Sequence, residues 1–356
     1  MVIVSPELLL NDGRFEVLWG KKKFTDNIIN ISLDEAHVIK EWGGTFRSDY
    51  LRIGPLRYLF PRTIPFHLGS ATLGPQMEPE LRANLHLRPE MTSVIRCNTD
   101  RPNIFLVVKE MKHPLNSYED LAFIIEKNLK PGGILPPKFL VFFNSRGEAQ
   151  GGAECLRARL SPELRDKVGW FHSGMTDEYR EEEMHALLVG DAIGEGATDA
   201  AGMVSSEPVS WCFNLTIANQ GIDIPDIKWI IQYRASKELS TWWQRAGRSG
   251  RRLSINATAI LLVEPCFFDS GKEKAAQKAA DRALSQKRPA SGQLQPVSAK
   301  RRTGTARKPT TTEVSGSQDR SKLDKEMDDF INAGERPEKC RRLIANNHFG
   351  NINLCT

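Results

Sequence analysis

Short apolar runs recur along this chain, separated by polar stretches of helical length. Residues 28–33 (IINISL), 139–143 (FLVFF), 168–171 (VGWF), 228–233 and 255–263 read as buried strands. Val2-Ile3-Val4 reads as one more, running into Ser5-Pro6-Glu7, where Pro after Ser marks a helix start. Amphipathic spacing predicts helices over 117–128, 148–160 and 177–188. Strands alternating with helices of this length predict an α/β fold with parallel, doubly wound sheets.

With 356 residues the chain has room for two domains with their own cores. Its 40% hydrophobic and 26% charged residues fit an ordinary soluble protein. No apolar run approaches the roughly 18–20 residues that span a bilayer, so no membrane partner is expected. MVIVSPELLLNDGR lacks a basic start and a small-residue cleavage site, so secretion is not expected. The 6 cysteines are scattered, as reduced thiols of a cytosolic or nuclear protein would be. The net charge of +5 is uneven: residues 269–322 hold 13 Lys/Arg against 5 Asp/Glu, leaving the rest of the chain net acidic by 3. Nucleic-acid affinity of the folded part must therefore come from local patches. Residues 269–328, poor in large apolar side chains, are predicted to be a disordered basic linker. Within it, Lys287-Arg288 and Lys300-Arg301-Arg302 look like a bipartite nuclear-import signal, which makes the nucleus the expected location. The same residues could equally hold DNA phosphate.

Two stretches carry chemistry. Asp34-Glu35-Ala36-His37 follows the first buried run, and adjacent carboxylates at a strand end disfavour each other's ionisation. They make sense around a cation, one holding Mg²⁺ and the next polarising a water; by themselves they also fit a strand end in solvent. Far downstream stands Gln244-Arg245-Ala246-Gly247-Arg248-Ser249-Gly250-Arg251. Arginines three apart are expected on one helical face, with glycines that let the backbone approach closely.

Asp34–Tyr50, DEAH running into VIKEWGGTFRSDY, resembles the RecQ family of DNA helicases, with Gly44-Thr45 standing where the family usually has His-Asp. QRAGRSGR resembles the sixth motif of superfamily-two helicases at every defining position, and further motifs follow the family's order. Ser70-Ala71-Thr72 matches the third motif, Asn98–Ile104 the segment joining two motor lobes, and Asn144-Ser145-Arg146 the fourth motif. His172-Ser173-Gly174-Met175-Thr176 resembles an HAG-type element, and Cys340-Arg341-Arg342 with Phe349-Gly350 the start of a zinc subdomain. Ala197-Thr198-Asp199-Ala200-Ala201-Gly202-Met203 and Gly221-Ile222-Asp223-Ile224-Pro225-Asp226 resemble one fifth motif, split by residues 204–220. That insert reads either as a retained intron translated in frame or as an extended surface loop.

The resemblance implies two RecA-like lobes of P-loop NTPase type. Residues 1–116 would be the C-terminal part of the first lobe, 117–268 the second with its insert, and 329–356 the truncated start of the zinc subdomain. It implies ATP and Mg²⁺ as cofactors, with DNA, single-stranded and at duplex junctions, as partner. Asp34 would hold Mg²⁺, Glu35 activate water, and His37 and Gln244 complete the catalytic set. Arg248 and Arg251 would reach the γ-phosphate, with Gly221 and Asp223 also at the nucleotide. Ser5, Pro6, Glu7, Trp42, Phe46, Arg47, Ser145, Arg146, His172 and Thr198 would touch DNA, while Ser70, Ala71 and Thr72 couple hydrolysis to opening. A GxxxxGK[ST] phosphate loop is absent from the sequence: Gly13 and Gly20-Lys21-Lys22 have six intervening residues and no hydroxyl. Cys340 and Cys355 are incomplete zinc remnants, so Zn²⁺ is not expected. The reading is a 3′→5′ RecQ-like DNA helicase truncated at both ends, or a nucleic-acid-binding fragment of one without catalysis. An RNA-directed DEAH/DEAD motor is disfavoured by WGGTFRSDY and CRR.

Overall fold

The computed structural model describes residues 1–37, 48–59, 64–172, 174–198, 224, 226–286, 323–337 and 340–351. The first lobe opens with three short helices, α1 (Pro6–Asn11), α2 (Gly13–Trp19) and α3 (Lys22–Thr25). Strands β1 (Ile31–Leu33) and β2 (Phe66–Leu68) pair in parallel, Leu33 opposite Leu68, and helix α4 (Glu78–Asn84) packs near them. Val2-Ile3-Val4 form no strand; Val2 and Ile3 are exposed, and β1 takes β2 as its neighbour among the described residues.

The second lobe is a six-stranded, wholly parallel sheet in the order β3-β8-β7-β4-β6-β5. Its strands are β3 (Ile104–Glu110), β4 (Phe139–Phe143), β5 (Val168–Phe171), β6 (Gly194–Thr198), β7 (Trp229–Tyr233) and β8 (Ala257–Val263). This corrects the boundary expected at 116/117, because β3 pairs with β8 through all seven of its residues. All of β4 is buried, and its side chains alternate between two cores. Leu140 and Phe142 join one face; Phe139, Val141 and Phe143 join the other. Covering helices are α5 (Arg146–Arg157), α6 (Asp177–Val189) and α7 (Leu239–Ala246).

The helix expected over 117–128 does not form. Tyr118 takes a left-handed backbone angle (φ 55°) and separates two short turns, Leu115–Ser117 and Glu119–Leu121. The stretch still buries Leu121 and Ile125.

The expectation of disorder from 269 onward is also corrected for its first part. Asp269–Gln286 forms an 18-residue helix, α8. Ala, Lys, Gln and Glu are strong helix formers, so scarcity of apolar residues does not forbid a helix. Its start is anchored by Arg336 on Asp269 and by Lys272 on Asp328. The import-like basic clusters lie outside the described residues. Helices α9 (Lys325–Asn332) and α10 (Arg341–Phe349) are part of the second lobe's core: Met327, Phe330, Ile344 and Phe349 pack with Trp242. Among the described residues no helix is long and apolar enough to cross a membrane.

Candidate functional site

The parallel pairing of β1 and β2 sets their C-terminal ends side by side. Gly69 N–H donates to the Leu33 carbonyl, and Ala36 N–H donates to the Gly69 carbonyl, each at 2.9 Å. The DEAH turn and the Ser-Ala-Thr turn are thereby stitched together. At that turn Glu35 adopts φ 49°, a left-handed conformation uncommon for a residue with a side chain. Its amide donates to Asp34 Oδ1 at 2.9 Å, which helps hold the bend.

His37 is buried between the lobes. Gln244 at the end of α7 donates through Nε2 to His37 Nε2 (2.9 Å) and to Thr72 Oγ1 (3.1 Å). An amide nitrogen can only donate, so the proton of the imidazole belongs on Nδ1. Ser70 Oγ lies 2.9 Å from that nitrogen and accepts it, while accepting from Thr72 N–H at 3.2 Å. Burial holds the His37 pKa down at about 4, against the opposing pull of Asp34, so the ring is neutral near pH 7. Four residues from three separate stretches thus form one hydrogen-bonded bridge across the lobes.

Beside the bridge lies a cleft of about 610 Å³. Glu35 and Thr72 line one wall; Gln244, Arg248 and Arg251 line another. Burial raises the Glu35 pKa, Asp34 adds to the rise, and Arg248 opposes it. Burial lowers the Arg248 pKa, with Arg251 adding to the fall and Glu35 opposing. A carboxylate and a guanidinium from opposite lobes are therefore within electrostatic reach across an open space. The single helical face expected for the arginines is corrected: α7 ends at Ala246 with Gly247 as its cap. Arg245 is buried beneath the helix against Gln232 and the Phe142 ring, and burial lowers its pKa to about 9. Arg248 and Arg251 occupy the following turn, which leaves them facing the cleft.

The residues fit the nucleotide–metal pair implied by the resemblance. Glu35 Oε2 is buried, 3.3 Å from His37 Nδ1, while the rest of the side chain lines the cleft, and Asp34 beside it is exposed. Two carboxylates of this kind suit Mg²⁺, which keeps several waters and phosphate oxygens in its shell. Among the described residues no group of three or more His, Cys, Asp or Glu side chains could hold a metal by itself.

A second group of side chains stands at the C-terminal ends of the second sheet, where open α/β sheets take ligands. Ser145 and Arg146 are exposed after β4, and His172 follows β5. Gly174 N–H donates to His172 Nδ1, and burial with the Arg146 charge lowers the His172 pKa. Thr198, at the neighbouring end of β6, is buried and presents no open surface. Ser5 caps α1 by accepting from Leu8 N–H; Pro6 and Glu7 begin that helix. Trp42, Phe46, Arg47, Gly221, Asp223 and Cys355 lie outside the described residues. Cys340 caps α10, its sulfur accepting from Leu343 N–H at 3.4 Å.

Three cleft residues were given no site role by the sequence: Arg101, Trp243 and Arg342. Arg101 donates to the Gly250 carbonyl, and the Trp243 indole donates to the Thr99 carbonyl at 3.4 Å. For Arg342 the only sequence signal was the CRR segment, which pointed to zinc.

Residues 133–252 match the family model of the helicase conserved C-terminal domain. The ATP-dependent DNA helicase RecQ of Synechocystis sp. is 28% identical over 283 residues, covering 78% of this chain and 52% of the relative. The mouse bifunctional 3′-5′ exonuclease/ATP-dependent helicase WRN is 28% identical over 274 residues, covering 76% of this chain and 17% of that protein. The chain spans about half or less of the length of the curated relatives it matches. The crystal structure of the DUF1998 helicase MrfA bound to DNA and AMPPNP superposes with a TM-score of 0.51 at 17% identity, covering 78% of this chain and 36% of that one. At that identity the likeness shows the fold alone. Motif order, the helicase C-terminal domain match over residues 133–252 and a cleft that joins the DEAH and QRAGR residues make this chain similar to RecQ-like helicases.

Proposed function

We propose that the cleft is a nucleotide site and that the chain belongs to an ATP-driven 3′→5′ DNA-unwinding enzyme of recombination and repair, working in the nucleus. The observation that carries this reading is the His37–Gln244–Thr72 bridge, with Glu35 and Arg248 facing each other beside it. When bound, ATP with Mg²⁺ supplies the phosphoanhydride whose hydrolysis drives unwinding. Asp34 would hold the metal. Glu35, whose pKa is raised by burial and whose side chain lines the cleft, can take a proton from water through its carboxylate. Arg248 and Arg251 offer fixed positive charge where charge develops on a transferring phosphoryl group. The bridge ties that chemistry to lobe movement, because His37, Ser70 and Thr72 belong to one lobe and Gln244 to the other. Ser145, Arg146 and His172 are the described candidates for the DNA track.

A second reading has its own support: the sequence contains no GxxxxGK[ST] segment, so the backbone cradle for a triphosphate is missing from this chain. The chain by itself would then bind nucleic acid without turnover. ATP hydrolysis with and without single-stranded DNA, beside Glu35→Ala, separates the two. DNA-stimulated turnover lost in the variant supports the motor; DNA binding without turnover supports the second reading.

A further inference from the structure

Helix α10 touches three parts of the molecule at once. Ile344, Ala345 and Phe349 are set in the second lobe's core, with the Phe349 ring against Trp243 at 5.6 Å. On another side it meets the first lobe. His348 Nδ1 lies 3.0 Å from Gln76 Nε2, and the amide donates. The backbones there are in close approach: a Cβ on Gly74 would come within 2.7 Å of the His348 carbonyl oxygen. The helix stops at Gly350 with φ 68°, a conformation glycine takes without strain, and this turn rests on Pro75.

The third contact is with the segment that joins the lobes. Arg342 spans it, donating to Asp100, to the Arg101 carbonyl (3.1 Å) and to the Ile104 carbonyl (2.6 Å). Asn351 accepts from the Thr99 amide (3.0 Å) and donates to Thr99 Oγ1 (3.1 Å). Arg342 also lines the same cleft as Glu35 and Arg248. One guanidinium therefore holds the connecting segment at Asp100, Arg101 and Ile104 while forming part of the cleft wall.

We propose that α10 is a clasp on the lobe connection and that Arg342 is a positioning residue that sets the spacing between Glu35 and the arginines of the opposite lobe. The planar fork suits this task because it meets a carboxylate and two carbonyls in fixed directions, which a lysine cannot do. The consequence for turnover rests on the cleft being the nucleotide site; the clasp itself does not.

Hydrogen exchange on the 356-residue chain tests the clasp directly. Arg342→Ala is expected to speed exchange in residues 98–104 about tenfold, and to speed it in 75–85, while strands β4 and β7 keep their protection. Arg342→Lys should fall between. His348→Ala should loosen 75–85 and leave 98–104 protected. If Arg342→Ala does not fold, Asn351→Ala gives the same reading at the Thr99 amide. Unchanged exchange in 98–104, or faster exchange confined to α10, overturns the proposal. In the same variants, kcat for ATP should fall about tenfold with KM within about threefold. A wild-type chain without turnover would count against the motor reading, and the exchange pattern would still decide the clasp.

Discussion

The two lobes differ in how much structure supports each functional side chain. In the second, six parallel strands are covered on both faces, and Gln244 rides on a helix whose Trp242 is fully buried. In the first, Glu35 and His37 hang from two three-residue strands, and β1 contributes Ile31 and Leu33 only partly buried. The chemistry that needs the finest placement thus stands on the thinner scaffold. Contacts from the second lobe compensate, through Gln244 on His37 and Thr72 and through α10 on Gln76.

The largest expected effect exploits this contrast. Trp242→Ala should destabilise the second lobe by about 3–5 kcal/mol, whereas Leu33→Ala should cost about 1 kcal/mol. Thermal melts followed by hydrogen exchange in β4 and β7 would register the first and miss the second. Similar losses of protection in both variants would mean that the lobes fold as one unit.

A pH dependence separates the lobes next. Glu195, the second residue of β6, is 1% exposed, and neither carboxylate oxygen has a hydrogen-bond partner of regular geometry. Burial pushes its pKa well up, nearby Glu183 adds to the rise, and Arg157 opposes it. The folded state therefore keeps a proton that the unfolded chain releases above its ordinary carboxylate range. Stability falls as pH climbs from there toward the raised folded pKa. Glu195→Gln should flatten that decline and raise the melting temperature at pH 8 by several degrees, about 1–3 kcal/mol. Parallel pH profiles for wild type and variant would contradict the assignment.

The smallest effect concerns the C-terminal edge of the second sheet. Ser145 caps α5 by accepting from Glu148 N–H at 3.3 Å, so Ser145→Ala should cost about 1 kcal/mol in the second lobe. DNA affinity should fall modestly if this end is the track, and fluorescence anisotropy with single-stranded DNA reads it.

What the sequence disclosed follows from how local each signal is. β4, β5, β7 and β8 were readable because a strand buried on both faces is apolar throughout. β6 was not, since Gly-Glu-Gly-Ala-Thr has neither an apolar run nor alternation. β3 was passed over because it follows directly on the polar Asn98–Asn103 segment. Helix α8 was misread because composition alone was taken to decide order. In the site, DEAH and QRAGR were legible since each is contiguous, and the structure brings Glu35, His37, Gln244 and Arg248 together. Arg101 and Arg342 were not, because their partners lie more than a hundred residues away and only tertiary packing reveals them.

The central claim is that Glu35 and Arg248, from opposite lobes, frame one nucleotide site. Equilibrium binding of a fluorescent, non-hydrolysable ATP analogue with Mg²⁺ tests it most directly, comparing wild type with Arg248→Ala. The account expects measurable binding that weakens about tenfold in the variant, as loss of one desolvated phosphate contact should. Equal affinity in the two chains would mean that the cleft is not where the nucleotide sits.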